Sequence, residues 1–513
     1  MVINMAKKEI SIEESLWKAA DKLRGSVETS QYKHVVLSLI FLKNISDKFE
    51  KQRQILIDEG KEKYIDKAVF YNKDNVFYLD EKSRWSYLIE NAKQPDIALK
   101  IDTALSNIEK LNDDLKGALP NNYFTSLELE SNNISSLLDE INNIIIPSDD
   151  NDFFGRIYEY FLSKFAIKEA SSKGEFYTPK SIVNLIAEIL EPHDGILYDP
   201  CCGSGGMFVQ SYKLLENHHG DTNELSIYGQ EYTSTTLKLA KMNLALRGIK
   251  GNLGDKAANT FFNDQHPDLK ADYIMANPPF NQKQWRANEE LTKDPRWAGY
   301  EVPPTGNANY GWILHMVSKL SVEGIAGFLL SNGSLSGDKS AEYKIRKQLI
   351  ENDLVEAILI LPRKLFYTTD ISVSLWIINK NKKEKDNFRD RSNEILFLDL
   401  RQMGSPFDKK YVQLTQEDRD KVTSTINTWR TNMDEYDNIP EYCYAAELDE
   451  IKEKDYVLVP SRYIEFVDAV ETINFDEKMS ELKNDFVELY KEEQDSKDKI
   501  LKLFEELGYE IKL

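Results

Sequence analysis

Between residues 166 and 400, short β-rich runs alternate with helical runs, and this alternation constrains the fold more than any other feature of the chain. The β-rich runs are "GILYDPC" (195–201), "LSIYGQE" (225–231), "DYIMANP" (272–278), "GIAGFLLS" (324–331), "LVEAILILP" (354–362) and "SVSLWIINK" (372–380). Between them lie "SGGMFVQSYKLLEN" (204–217), "TTLKLAKMNLALRG" (235–248), "NANYGWILHMVSKL" (307–320) and "AEYKIRKQLIEND" (341–353). Strands of near-continuous Val/Ile/Leu character are buried on both faces, so the pattern predicts an α/β fold with a mostly parallel, doubly covered sheet. Ligands of such sheets bind beyond the carboxyl ends of the strands. The residues that end each strand are therefore where chemistry is to be sought.

The flanks are of a different texture. Residues 1–165 read as a helical N-terminal domain. "SIEESLWKAADKL" (11–23) opens with the capping-box pair Ser11 and Glu14, 32–58 reads as one long helix, and 100–146 carries Leu and Ile at helical spacing. Residues 166–410 form the expected catalytic domain. Residues 411–513 read as a C-terminal helical region, with "TQEDRDKVTSTINTWR" (415–430) and "SELKNDFVELYKEEQDSKDKILKLFEELG" (480–508) each bearing an apolar stripe amid dense charge. That stripe suits either a solvated surface helix or a coiled-coil-like arm for a partner.

Composition narrows the function classes. The net charge of −21, from 86 acidic and 65 basic residues, argues against a chain that grips nucleic acid unaided, because non-specific affinity comes from Lys and Arg neutralising phosphates. Cys201, Cys202 and Cys443 are the three cysteines and His34, His193, His218, His219, His266 and His315 the six histidines. Neither set has disulfide-framework or metal-ligand spacing, so no metal is expected. The apolar stretch "VVLSLIFL" (35–42) is too short to span a bilayer, and a cytoplasmic protein without membrane contact is the expectation.

The strand ends carry an ordered polar series. The first ends in "YDPCCGSGGMF" (198–208), where Asp199 precedes a turn in which Gly203, Gly205 and Gly206 allow close approach of a ligand to the backbone. The second ends at Glu231, where acidic residues bind ribose hydroxyls in dinucleotide-type folds. A short strand then ends at Asp255, which could reach an adenine amine, and the next ends in "NPPF" (277–280). Asn-Pro-Pro alone is explicable as strand-ending punctuation, since proline cannot donate to a sheet ladder.

In this order "GEFYTP" (174–179), "DPCCGSGG" (199–206), "GQE" (229–231) and "NPPF" (277–280) resemble the S-adenosylmethionine-dependent DNA adenine-N6 methyltransferases. More closely, the chain is similar to the modification subunits of type I restriction–modification systems. The likeness extends to "LWKAADKLRGSVETSQYKHVVLSLIFLKNISDKFE", to "LPRKLFYTTDISVSLWIINK" (361–380) and to the helical tail. The paired cysteines in the glycine turn, where small residues such as alanine would be ordinary, are a departure. The resemblance implies a Rossmann-like methyltransferase sheet and S-adenosyl-L-methionine as cofactor. It assigns Glu175, Phe176, Tyr177, Thr178, Pro179, Lys180, Asp199, Gly203, Ser204, Gly205, Gly206, Glu231 and Asp255 to the cofactor, and Asn277, Pro278, Pro279 and Phe280 to catalysis.

The implied partners are duplex DNA with a flipped adenine, a specificity subunit, a restriction subunit and a second copy of the chain. The chemistry suits these residue types. An exocyclic adenine amine is a poor nucleophile, and acceptors at Asn277 and the Pro278 carbonyl would hold its hydrogens while Phe280 stacks on the base. Phe366 or Tyr367 is either a second wall for that base or core packing. Trp285, Arg286, Arg296 and Trp297 (in 283–300) could form a DNA-contacting lid. The motif alone leaves open RNA bases or protein glutamine as acceptors, and a non-catalytic scaffold that keeps the fold.

Overall fold

The computed structural model describes residues 13–14, 16–17, 29–144, 152–169, 177–337, 340–367, 370–407, 410–466 and 475–506. The helix expected over 11–23 therefore lies mostly outside the described residues, as do Glu175 and Phe176. The chain divides into one large compact unit up to Glu465 and a small one, Phe466–Leu513.

Among the described residues, nine strands form one sheet: β1 (Gly195–Asp199), β2 (Leu225–Gly229), β3 (Gly251–Asn252), β4 (Ala271–Ala276), β5 (Leu320–Ser331), β6 (Val355–Ile360), β7 (Val373–Asn379), β8 (Glu394–Asp399) and β11 (Cys443–Glu447). β9 (Ser405–Phe407) and β10 (Tyr411–Gln413) make a separate hairpin. The sheet order is β11-β8-β6-β7-β5-β4-β1-β2-β3. β3, β2, β1, β4 and β5 pair in parallel, β7 runs antiparallel between β5 and β6, and β11 runs antiparallel along β8. The mostly parallel sheet is thus present, with two reversed strands. The order reverses between β1 and β4, so the crevice at their carboxyl ends is the switch point where α/β sheets bind ligands.

Successive residues of β6 explain why these strands read as unbroken apolar runs. Ala357 and Leu359 enter one core, Ile358 and Ile360 the other, and β1, β4, β5 and β7 divide in the same way. One face is covered by α3 (Lys180–Leu190), α4 (Gly206–Asn217), α5 (Ser234–Leu246) and α8 (Gln416–Thr431), the other by α6 (Asn309–Lys319) and α7 (Ala341–Glu351).

The N-terminal helices, chiefly α1 (Thr29–Asp58) and α2 (Phe153–Glu169), have their own core, and that core includes Leu239, Met242 and Leu246 of α5. Since Leu237, Ala240 and Leu244 of α5 face the sheet, this helix is apolar on two sides and joins the helical layer to the sheet.

Residues 411–465, grouped with the tail in the sequence reading, pack on the sheet instead. β11 pairs with β8, and Arg430 of α8 reaches Glu356 of β6 at 2.8 Å. Glu356 is fully buried and also meets Arg391 at 3.3 Å, so two guanidiniums neutralise one carboxylate inside the fold. The small unit contains one long helix, α9 (Phe475–Glu506), whose Met479, Leu482, Phe486, Leu489, Ile500 and Leu503 are exposed. No helix among the described residues is long and apolar enough to cross a membrane.

Candidate active site

The carboxyl ends of β1, β2 and β4 open onto a cavity of about 420 Å³. A smaller space of about 70 Å³ adjoins it and shares Tyr177, Cys201, Gly203, Ser204 and Asn277. The turn after β1 forms the floor. Gly203 and Gly205 have φ of +54° and +79°, a region that disfavours side chains, and Gly205 caps α4. This geometry lets Gly203 N donate to Glu231 Oε2 at 3.0 Å, while Glu231 Oε1 accepts from Thr233 N at 2.8 Å. The Glu231 carboxylate is thereby fixed at the cavity wall.

Asp199 lies beneath the turn in the smaller space, 2% exposed, accepting from Cys201 N at 2.9 Å. Burial pushes its carboxyl up to about 7, partly opposed by the Cys201 hydrogen bond and reinforced by the nearby Glu231 charge. A buried carboxylate held this far from its ordinary range is suited to a cationic ligand.

Asn277 follows β4 directly. Its Nδ2 donates to Thr178 Oγ1 at 2.8 Å, and its buried Oδ1 has no hydrogen-bond partner. Pro278 is buried, Pro279 lines the larger cavity, and Phe280 meets Phe366 edge-on with ring centres 6.0 Å apart. Phe366 is 1% exposed and belongs to the core, whereas Tyr367 stacks at 6.0 Å on Tyr177 of the cavity wall. Thr178 and Lys180 line the smaller space, and Pro179 caps α3.

The structure thus gathers Tyr177, Thr178, Lys180, Asp199, Gly203, Ser204, Gly206, Glu231, Asn277 and Pro279 around one pair of adjoining spaces. Asp255 is not among their lining residues and is exposed. The buried Gln230 explains the local path. Its Nε2 donates to Ala258 O and Asn263 O at 3.1 and 2.8 Å, and its Oε1 accepts from Gln265 N at 2.9 Å. The loop is drawn over the strand ends and presents Asn259, Thr260 and Phe261 to the cavity. Sequence reasoning missed these residues. The available signal was the glutamine inside "GQE", a long polar side chain at the buried end of a strand.

The stretch 283–300 also differs from expectation. Trp285 and Trp297 are 5% and 3% exposed, and their indole nitrogens donate to Pro304 O and Leu291 O. Arg286 is committed to the carbonyls of Ala287, Asn288, Glu290 and Pro303. Arg296 pairs with Asp294 at 2.6 Å and donates to His315 Nδ1 at 3.2 Å. Burial, and then Arg296, hold His315 down at about 3, so the ring is neutral and its Nε2–H donates to Tyr198 OH. These four side chains face inward and brace the loop on the sheet, because their apolar bodies gain more from burial than from solvent. The roof of the cavity comes from the N-terminal layer, with Lys33 of α1 and Leu162, Phe165 and Ala166 of α2. Among the described residues, no group of three or more His, Cys, Asp or Glu side chains could hold a metal ion.

A Rossmann-like sheet with an acidic turn after β1 and a braced carboxamide after β4 defines the class: an α/β protein whose polar groups gather at the switch point of the sheet. Residues 149–472 match the N-6 DNA Methylase family and residues 12–144 the HsdM N-terminal domain. The type I restriction enzyme MjaIX methylase subunit of Methanocaldococcus jannaschii is 38% identical, the match covering 97% of this chain and 91% of that protein. The HindI methylase subunit of Haemophilus influenzae is 41% identical over 81% of this chain and 93% of its own length. The crystal structure of a type I restriction-modification system methyltransferase subunit from Streptococcus thermophilus shares the fold, with a TM-score of 0.73 and 22% identity over 88% of this chain and 99% of that one.

The chain belongs to the N-6 DNA methylase family, among the type I restriction enzyme methylase subunits. It is an adenine-N6 DNA methyltransferase. The RNA-base, protein-glutamine and scaffold readings are thereby set aside.

Proposed function

We propose that this chain methylates N6 of an adenine flipped out of duplex DNA, using S-adenosyl-L-methionine, at sites chosen by a separate specificity subunit. A restriction subunit and a second copy of the chain complete the assembly. The observation that carries the reading is Asn277 Oδ1, a buried acceptor without a partner whose amide is oriented by Thr178.

The residues present fit the cofactor. Asp199 suits its ammonium group, the Gly203–Gly206 turn admits close backbone approach, and Glu231, its carboxylate fixed by Gly203 N and Thr233 N, suits ribose hydroxyls. When bound, S-adenosyl-L-methionine supplies an electrophilic methyl group on a sulfonium centre.

The remaining work falls to the protein. Asn277 Oδ1 and the Pro278 carbonyl, stiffened by two prolines with restricted φ, accept the two amine hydrogens. This draws the nitrogen lone pair out of conjugation and offsets the positive charge that develops on nitrogen during transfer. Phe280, fixed edge-on against Phe366, offers its face to the base. Positioning and electrostatics carry the reaction. Assembling the full complex with wild-type or Asn277→Ala chain and mapping N6-methyladenine in DNA tests the proposal. Methylation that persists in the variant would remove it.

A further inference from the structure

Two carbonyls of the loop that lines the larger cavity, Thr260 O and Phe261 O, accept from one side chain, that of Arg296. Thr260 O takes an Nη1–H at 3.0 Å and Phe261 O an Nη2–H. The other Nη1–H goes to the neutral His315 at Nδ1, 3.2 Å away. Asp294 takes the Nε–H at 2.8 Å and the remaining Nη2–H at 2.6 Å. Every N–H of the guanidinium thus has an acceptor, in a side chain only 9% exposed. A lysine ammonium has fewer donors and no planar fork, so it cannot reproduce the set.

The loop held in this way ties two strand ends together. Thr260 Oγ1 donates to Pro200 O at 2.6 Å, and Pro200 follows Asp199 at the end of β1. Ala258 N donates to Glu231 O at 2.9 Å, just past the end of β2. Residues 258–260 therefore bridge the backbone that carries both acidic side chains of the site. Gln230 fixes the loop at Ala258 O and Asn263 O, and Arg296 fixes the middle. The Phe261 ring adds packing, its centre 4.4 Å from both Trp285 and Trp312.

Arg296 itself does not line either space, yet its bonds end on the backbone of residues that do. We propose that Arg296 is a positioning residue of the cofactor site, holding Thr260 so that its hydroxyl keeps Pro200, and with it Asp199, in fixed relation to Glu231. The identity of the ligand rests on the methyl-transfer reading. A loop already in its bound position has no ordering cost left on binding, so the effect falls on ligand affinity. Without the guanidinium, two carbonyls lose their donors and the bridge between the strand ends loosens.

The test uses Arg296→Lys, Arg296→Gly, Thr260→Val and the double variant Arg296→Lys/Thr260→Val in the full-length chain. Calorimetry measures S-adenosyl-L-homocysteine binding well below each melting temperature. Single-turnover transfer is measured in the complex with the specificity subunit at saturating S-adenosyl-L-methionine. Arg296→Lys should weaken S-adenosyl-L-homocysteine about tenfold while the saturated transfer rate stays within about twofold. Thr260→Val should weaken it similarly, and the double variant should bind no more weakly than either single one, because both changes break the same chain of contacts. Added guanidinium ion should restore affinity to Arg296→Gly and do nothing for Thr260→Val.

Variants that melt earlier yet bind S-adenosyl-L-homocysteine as the wild type does would make Arg296 a purely structural residue. The proposal then falls while the methyl-transfer reading stands. Additive losses in the double variant overturn it too, since the two residues would then act separately. A wild-type chain that binds no S-adenosyl-L-homocysteine overturns both readings. Should the Arg296 variants fail to fold, Thr260→Val decides, and wild-type affinity in that variant removes the proposal.

Discussion

Asn277 Nδ2 donates to Thr178 Oγ1 at 2.8 Å, joining two residues 99 positions apart in the sequence. The bond occupies the donor side of the amide and leaves the acceptor, Oδ1, buried and without a partner. Thr178, assigned by resemblance to the cofactor, thus also orients the Asn277 amide. Replacing it by valine keeps the shape and removes the hydroxyl. Methyl transfer by Thr178→Val should fall about tenfold, the worth of one buried hydrogen bond, while S-adenosyl-L-homocysteine affinity stays within about twofold. Thr178→Ser should restore the rate. Equal losses in rate and cofactor affinity would place Thr178 on the cofactor alone.

Asn277→Ala should cost far more. Removing one preorganised acceptor at a reacting centre costs about 3 kcal/mol, which is more than a hundredfold in kcat. Cofactor affinity should change only a few-fold, because the proposed function puts Asn277 on the acceptor amine and not on the cofactor. Single-turnover transfer rates in the assembled complex, set beside calorimetry on the chain, separate the two effects.

Asp199 predicts a pH dependence. Its carboxyl titrates near 7 in the fold against an ordinary 3.8, because burial disfavours the charge. Asp199 alone therefore favours the fold at low pH, and that contribution is lost as pH rises from 3.8 through about 7. A bound ammonium stabilises the carboxylate, so ligand affinity should rise as pH approaches 7. Below 7 binding should release a proton, with affinity falling about tenfold per pH unit. Calorimetry of S-adenosyl-L-homocysteine in buffers of different ionisation enthalpy measures the proton directly. Asp199→Asn should bind more weakly and abolish the release.

Glu356 predicts where the large unit is most vulnerable. Burial alone would raise its carboxyl, but Arg430 and Arg391 hold it below the ordinary 4.5. Its contribution is present above 4.5 and is lost as pH falls through the lower folded value. Glu356→Ala would leave two buried guanidiniums uncompensated and should destabilise the unit by about 3–5 kcal/mol. Urea unfolding at neutral pH measures the loss. Below its melting range the variant should bind S-adenosyl-L-homocysteine normally, since Glu356 lies outside the cavity wall.

The strand ends were legible because each packs its chemistry into a few contiguous residues whose place at the sheet edge follows from the runs before them. Asp199, Glu231 and Asn277 converge as their motifs imply. The path of the segment that follows Asp255 was not legible, because it depends on Gln230, whose contacts with Ala258, Asn263 and Gln265 are tertiary. Trp285, Arg286, Arg296 and Trp297 compose a plausible DNA face, yet composition cannot say which way a loop turns. Burial against the sheet decided it. Trp312 sits in an apolar helix and is core, as that pattern implies, with an indole nitrogen that no partner meets. The strand "CYAAE" (443–447) is short and only weakly apolar, and pairing with β8 is what makes it a strand.

The last prediction concerns α9. The large unit ends at Glu465, and the sheet and cavity lie within it. Deleting residues 475–513 should therefore leave S-adenosyl-L-homocysteine binding and the melting of the large unit unchanged. The exposed Met479, Leu482, Phe486 and Leu489 follow one another at helical spacing, a face suited to packing on the helices of a partner. With a net charge of −21, the isolated chain should bind duplex DNA weakly and without sequence preference, so affinity has to come through assembly. The truncated chain should fail to co-purify with the specificity subunit and should lose site-specific methylation. Pull-down and gel-shift measurements on full-length and truncated chains separate these effects. Normal assembly by the truncated chain would move the docking surface onto the large unit, and tight sequence-specific binding by the isolated full-length chain would remove the need for a partner.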